Sequence, residues 1–188
     1  MVTRSLYLLF LISWIPSDVL SAHASALDSV RAAMFTLTSR DASGNSHVLR
    51  FGVSPGATYG FDRELREFPM PPSPPAPIFD FRFLDLPKQP RNPATGSYAD
   101  IRGWPSTASR DTFAVRYVPM NGAYPMKVTF DRGLVCCADS VTLIIDGEHR
   151  VLRPEVFADP ISFEGPSDRF VFIVHWKSME LLQGGPGR

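Results

Sequence analysis

The chain has 188 residues, of which 44% are hydrophobic and 20% charged, which excludes a disordered chain and leaves room for one ordinary domain or two very small ones. Lysine plus arginine and aspartate plus glutamate both number 19, so no overall basic field is present to hold nucleic acid or an anionic membrane. The 18 prolines are about twice the usual share of roughly 5% and argue against long helices. Together with 14 phenylalanines, they favour an all-β domain.

The N-terminal segment has the layout of a secretory signal peptide. Arg4 precedes an apolar run over residues 6–15, and small residues follow in two overlapping A-x-A patterns that end at Ala24 and Ala26. The run is too short for a spanning helix, which needs about 20 residues, although an uncleaved membrane anchor is the alternative. We therefore predict a signal peptide over 1–26, a secreted or cell-surface protein, and no membrane insertion after cleavage.

Alternation of apolar and polar residues predicts a series of short strands. In chain order they cover 33–39, 47–53, 78–84, 111–119, 125–130, 141–145, 148–152 and 170–176. The last of these is apolar on both faces, which predicts a central strand covered from both sides.

Turn residues predict how the strands connect. The first two strands flank a loop rich in turn residues, and Asn121-Gly122 and Asp146-Gly147 are two-residue hairpin signals. About eight or nine strands, with no helical period of about ten residues or more, predict an antiparallel immunoglobulin-like β-sandwich. A closed barrel is the alternative. We place this single domain at 27–178 and expect a flexible tail at 179–188.

Half of the prolines lie in one stretch, residues 69–93. They are Pro69, Pro71, Pro72, Pro74, Pro75, Pro77, Pro87, Pro90 and Pro93. The first six form an extended, polyproline-like run directly before a predicted strand. We interpret the stretch as a stiff crossover between two sheets, since proline lowers the entropy of the unfolded chain. The alternative is a ligand for an aromatic groove on a partner.

The two cysteines, Cys136 and Cys137, are adjacent. Neighbours on a strand point to opposite faces, so a disulfide between them requires a turn-like backbone. We favour two free or separately reacted thiols packed as small apolar side chains, because no other feature of the sequence supports a redox site; a vicinal disulfide is the alternative. No histidine spacing matches a zinc motif with them.

An ordered series of motifs runs through residues 51–102. It consists of Phe51-Gly52, Ala57-Thr58-Tyr59-Gly60-Phe61-Asp62, the proline run, Ile78-Phe79-Asp80-Phe81-Arg82-Phe83 and Tyr98-x-Asp100-Ile101-Arg102. The series resembles secreted proteins of the Bacteroidota and green-sulfur-bacterial group, with Tyr59 where that pattern often has Asp. Those proteins are largely uncharacterised and are often found upstream of a type IX secretion sorting domain. The resemblance implies an immunoglobulin-like sandwich and export.

Catalytic motifs are weak in this sequence. Gly52 to Gly56 matches G-x-S-x-G, but Pro55 has no N–H for an oxyanion and no helix follows, so we interpret it as a turn. We therefore predict no enzymatic activity and no required cofactor, with a hydrolase as the least favoured reading. Asp62, Glu64 and Asp80 are candidate ligands for a structural Ca²⁺, although Arg63 and Arg66 can neutralise this cluster.

Loop aromatics are the candidate binding residues. Tyr59, Trp104 and Tyr124 lie outside the inward-facing alternation, where flat rings can stack on sugars or anchor a protein. The alternative for Trp104 is that it covers one end of the core. The leading hypothesis is a non-catalytic module for protein interaction or cell-surface assembly, using unpaired edge strands. A carbohydrate-binding module is the alternative, so the expected partner is a surface protein or a glycan.

Overall fold

The computed structural model describes residues 32–58, 60–84, 96–103, 110–165 and 167–177, which form two five-stranded sheets around one hydrophobic core. The strands are β1 Ala33–Arg40, β2 Ser46–Ser54, β3 Asp80–Leu84, β4 Ala99–Gly103, β5 Arg110–Val118, β6 Met126–Phe130, β7 Ala138–Ile145, β8 Glu148–Leu152, β9 Ile161–Phe163 and β10 Arg169–Trp176. The first sheet has the order β4-β2-β1-β6-β9 and the second β3-β5-β10-β7-β8. The predicted all-β sandwich is confirmed.

Two predicted hairpins are present. β1 and β2 pair antiparallel, from Ala33 opposite Val53 to Arg40 opposite Ser46. β7 and β8 are joined by Asp146 and Gly147, whose φ values of 49° and 85° suit the tight turn that matches strand twist. The predicted central strand, β10, lies between β5 and β7.

The hairpin predicted at Asn121-Gly122 is wrong, because β5 and β6 belong to different sheets. Both residues have positive φ, 52° and 69°, but they end a 3-10 turn that begins at Met120. The Asp41 carboxylate accepts a hydrogen bond from the Met120 N–H at 3.1 Å. Asp41 follows β1, so this bond holds the loop against the first sheet and the chain crosses over instead of turning back.

The first sheet also contains a parallel pair, which the prediction of an antiparallel sandwich did not include. β4 runs parallel to β2, from Arg50 opposite Ala99 to Ser54 opposite Gly103. Parallel neighbours need a crossover connection, and this one passes through β3 in the other sheet. Alternation did not reveal β4, whose charged Asp100 and Arg102 are buried like their neighbours, or β9, which is only three residues long. The described residues hold ten strands rather than about eight or nine.

Aromatic side chains join the two sheets. The ring of Phe51 on β2 packs edge-on against Phe113, Phe130 and Phe172, at centroid distances of 5.5, 6.1 and 5.2 Å. Phe113 and Phe172 belong to the second sheet, and edge-to-face contact of this kind adds to the stabilisation from burial. The inward-facing phenylalanines predicted by alternation therefore form the centre of the core.

Residues 69–79 of the proline-rich stretch lie in the connection from β2 to β3, which passes between the two sheets, as predicted. Pro87, Pro90 and Pro93 lie outside the described residues, as do the predicted signal peptide, 1–26, and the predicted tail, 179–188. Within the described part of the chain, no helix has the length and apolar character needed to span a bilayer.

Candidate binding groove beside the proline crossover

A cavity of about 580 Å³ lies where the crossover meets β3, within the roughly 300–1,000 Å³ typical of ligand sites. We call it the proline groove. It is lined by Arg66, Phe68, Pro69, Met70, Pro71, Pro72, Pro74, Phe79, Asp80, Arg82 and Tyr98. Most of these side chains are apolar, and the charged ones are two arginines and one aspartate.

The proline wall is held by a small number of directed bonds. Proline fixes φ and has no N–H, so this segment stays extended and can offer its partners chiefly carbonyl oxygens. The Pro71 carbonyl accepts a hydrogen bond from Arg82 Nη1 at 2.7 Å. The Met70 N–H donates to the Gly96 carbonyl at 3.1 Å, and the Met70 side chain is buried. These contacts fix the wall against β3 and the approach to β4.

The floor of the groove contains a buried ion pair. Asp80 Oδ1 accepts a hydrogen bond from Arg82 Nε at 2.7 Å, and both side chains are 4% exposed. Arg116 Nε lies 3.1 Å from Asp80 Oδ2, although it is not oriented for a hydrogen bond. Asp80 and Arg82 share a strand face, as alternation predicted, but the crossover covers that face. The carboxylate is thus committed to two guanidinium groups.

A second Asp-x-Arg pair lies on β4. Asp100 Oδ2 is 2.6 Å from Arg102 Nη2, and both side chains are buried. The Arg102 guanidinium lies 5.5 Å from the centre of the Phe113 ring, within the range of a cation–π contact. Oppositely charged residues two apart on a buried strand occur at both places, and this repeated spacing is the sequence signal for a covered, charged face.

Glu67, which is not among the three candidate calcium ligands above, closes the outer edge of β4. Its carboxylate is fully buried. Oε1 accepts the Ile101 N–H at 2.6 Å, and Oε2 accepts the Asp62 N–H at 3.0 Å. One side chain therefore holds the start of the crossover against an edge strand.

Two half-exposed aromatic rings flank the groove. Phe68 is 52% exposed and Tyr98 is 46% exposed. The Tyr98 ring lies 4.3 Å from the His47 ring, centre to centre. Burial lowers the pKa of His47, against the opposing charge of Asp80, which favours the neutral form of the imidazole beside the Tyr98 ring. Two partly exposed aromatic side chains therefore line one cavity.

Of the three predicted binding residues, the structure describes Tyr124 alone, and Tyr124 is not among the residues that line the groove. Tyr59 and Trp104 lie outside the described residues. Tyr124 is half-buried and packs against the core, where burial and the charge of Asp168 raise its pKa. Tyr98 belongs to the motif series but was not a predicted binding residue, because its neighbours in the groove come from distant parts of the sequence.

The predicted calcium ligands line two different cavities. Asp62 and Glu64 line a separate cavity of about 420 Å³, whereas Asp80 lines the proline groove. Asp62 Oδ2 accepts the Thr58 N–H at 2.7 Å. In the described ranges, no three His, Cys, Asp or Glu side chains group as metal ligands would. The calcium site remains a prediction.

The serine of G-x-S-x-G ends β2. Ser54 is buried, and its hydroxyl donates to the Pro55 carbonyl at 3.4 Å. Its contacts are those of a strand end, in keeping with the interpretation as a turn.

Comparisons with protein-family models, curated proteins and solved structures gave no match. The fold and the groove define the chain as a β-sandwich with a proline-walled cavity. Its resemblance to the secreted bacterial proteins described above remains a prediction.

Proposed function

We propose that the chain is an exported, non-catalytic β-sandwich module that binds another protein through the proline groove. The observation that carries this proposal is the apolar cavity of about 580 Å³ with two half-exposed aromatic rings at its mouth. Aromatic side chains beside a preformed apolar cavity are the usual anchors of binding energy.

The groove suits an extended peptide segment. Its proline wall offers carbonyl acceptors and lacks N–H donors at each proline, which complements the free N–H groups of an extended chain. Arg66, on the rim, is exposed and makes no ion pair with the described residues. A segment with a large apolar side chain next to an acidic one would fill the cavity and neutralise this arginine.

The groove is a better candidate than a free sheet edge. On β8, residues Glu148 and Arg150 project on the same face as the buried Leu152 but are themselves exposed. Charges that face inward on an edge strand are a device against strand addition. The expectation of binding through an edge strand is therefore replaced here by binding at the groove.

Carbohydrate binding is the second candidate. Phe68 and Tyr98 flank one cavity with exposed rings, an arrangement that can stack on a sugar. Asp80 and Arg82 line the groove but are paired with each other. The remaining lining residues include one charged side chain, Arg66. The peptide is favoured because sugars need several polar partners.

Parallel selections against a displayed random-peptide library and a glycan array test the proposal. We expect peptides that share a large apolar residue beside an acidic one, and a loss of affinity of about tenfold, or roughly 1.4 kcal/mol, for Phe68→Ala and for Arg66→Glu. Val48→Ala is the matched control, since Val48 is 46% exposed on β2 and does not line the groove.

The outcomes separate the candidates. A glycan signal that disappears in Tyr98→Ala, with no selected peptide, would favour the carbohydrate module. Absence of both signals, or equal losses in Phe68→Ala and Val48→Ala, would remove the groove as the binding site. Export is tested separately by the N-terminus of the protein recovered outside the cell, which we expect at Ser25 or Leu27.

A further inference from the structure

Cys136 and Cys137 lie where the chain enters β7, and the backbone there is not extended. A 3-10 turn over Arg132–Cys136 ends at this point. The Cys137 N–H donates to the Leu134 carbonyl at 3.0 Å, which keeps the chain turned. Neighbouring side chains point to opposite faces only where the backbone is extended, so the two cysteine side chains can lie on the same side here. Their sulfur atoms lie 2.7 Å apart.

The two thiols differ in their surroundings. Cys136 is exposed and Cys137 is buried, so reagents in solution reach the Cys136 sulfur first. Burial, with the hydrogen bond and charge of Cys136, raises the pKa of Cys137 to about 12. Lys177 lies beside the pair, since its N–H donates to the Cys137 carbonyl at 2.9 Å and its Nζ donates to the Val135 carbonyl at 2.7 Å.

We propose that Cys136 and Cys137 are a redox couple that a low-molecular-weight disulfide oxidises to a vicinal disulfide. The Cys136 thiolate attacks one sulfur of the small disulfide, which forms a mixed disulfide and releases one thiolate that takes up the proton lost by Cys136. Cys137 then attacks the Cys136 sulfur, its proton passes to the second departing thiolate, and the intrachain bond closes. One small disulfide is reduced to two thiols for each bond formed.

Two features favour ring closure over other products. The turned backbone places the two sulfurs face to face, which is the arrangement that bond formation needs. The chain has only these 2 cysteines, so no other intrachain partner competes. A buried Cys137 also disfavours a stable adduct on that sulfur, because a bulky group would have to enter the core.

Mass spectrometry of the full chain after incubation with oxidised glutathione tests this proposal. Trypsin cleaves after Arg132 and Arg150, so both cysteines fall in one peptide, 133–150. We expect that peptide to become lighter by two hydrogens, without a glutathione adduct, and to regain them after dithiothreitol. In Cys137→Ser we expect glutathione to remain on Cys136, and in Cys136→Ser no adduct on the folded protein.

Other products overturn the proposal. They are two glutathione adducts on the peptide, a disulfide-linked dimer on a non-reducing gel, or two unmodified thiols after prolonged incubation. If Cys137→Ser fails to fold, as judged by its melting curve, Cys137→Ala serves in its place. The wild-type peptide mass decides the question without either variant.

Discussion

The edge strands are covered at one end of the sandwich and exposed at the other. At one end, β3 is bridged by Ser97, which exchanges backbone hydrogen bonds with Phe83 at 2.8 and 3.1 Å, and β4 is capped by the Glu67 carboxylate on the Ile101 N–H. We call this the closed end. At the other, four of the five β8 residues are exposed.

In the part of the chain that the structure describes, no hydrogen bond reaches the outer edge of β8, and we call this the open end. Unpaired strand edges are an aggregation hazard that proteins must cover or charge. The closed end uses a crossover with buried ion pairs, and the open end uses exposed charges at Glu148 and Arg150. The residues that line the proline groove therefore also cover the edge strands β3 and β4. Their contacts hold the walls of the groove in place before any ligand binds.

The largest expected effect comes from breaking the ion pair beneath the groove. Asp80→Ala removes the carboxylate that Arg82 and Arg116 share, and losing one partner of a buried pair costs about 3–5 kcal/mol. We expect urea unfolding to show a loss of about 4 kcal/mol in the free energy of unfolding. Asp139→Ala, at an exposed site on β7, should change it by about 0.5 kcal/mol or less. A loss below about 1 kcal/mol for Asp80→Ala would show that the closed end does not depend on this pair.

The next effect tests the cap on β4. Glu67→Ala leaves the buried Ile101 N–H and the partly buried Asp62 N–H without their acceptor, and an unsatisfied buried donor costs about 1–3 kcal/mol. We expect a loss of about 3 kcal/mol by urea unfolding. Glu64→Ala, on the exposed 3-10 turn nearby, is the matched control and should lie within about 0.5 kcal/mol of wild type. Equal effects from both variants would contradict the cap.

A pair of glycines compares the two ends directly. Gly96, at the closed end, has φ of 67°, and a Cβ there would collide with the Phe83 carbonyl oxygen. Gly147, at the open end, has φ of 85° and nothing within 4 Å of such a Cβ. We expect Gly147→Ala to cost about 1 kcal/mol for its left-handed backbone and Gly96→Ala about 2 kcal/mol or more. A Gly96→Ala variant no less stable than Gly147→Ala, by thermal melting, would contradict the close approach.

The smallest effect is pH-dependent and concerns Asp41 at the β1–β2 turn. Burial alone would raise its pKa, but hydrogen bonds from Asn45, Met120 and Ser43 hold it below 3.8. The ionised carboxylate therefore stabilises the fold above pH 3.8, and this contribution is lost as pH falls through the lowered folded-state pKa.

We expect Asp41→Asn to lower the free energy of unfolding by about 1 kcal/mol at pH 7. Below pH 3.8 the difference in free energy of unfolding between wild type and variant should become smaller, as measured by urea unfolding at a series of pH values. If that difference stays constant down to the pH at which the protein unfolds in acid, the ionised Asp41 carboxylate does not stabilise the fold.

Much of the sandwich could be predicted from alternation. The period of two in Phe79 to Phe83 and in Phe113 to Tyr117 located strands and their inward faces, and Asp146-Gly147 located a hairpin. Asn121-Gly122 misled because a two-residue signal cannot show that Asp41, far along the chain, holds the loop in another direction. β9 was missed since three residues are too short to show a period.

The groove was less accessible to sequence reasoning. Its walls come from residues 66–74, its floor from β3 and its rim from Tyr98, so no local pattern contains it. The predicted crossover between the two sheets is present, yet nothing local showed that Glu67 would bond to Ile101, 34 positions later. The repeated Asp-x-Arg spacing was the one local trace of a buried charged face.

Native-state hydrogen exchange tests the contrast between the ends most directly. Edge-strand amides are ordinarily open to water, but the Ile101 N–H donates to a fully buried carboxylate. In the β7–β8 hairpin, hydrogen-bonded and non-hydrogen-bonded residue pairs alternate from the tight turn. Val151, opposite Thr142, falls in a non-hydrogen-bonded pair, so its N–H points away from β7. We predict that the Ile101 amide exchanges only through global unfolding and that the Val151 amide exchanges near the unprotected rate. Similar protection at the two amides would contradict the distinction between a closed end and an open end.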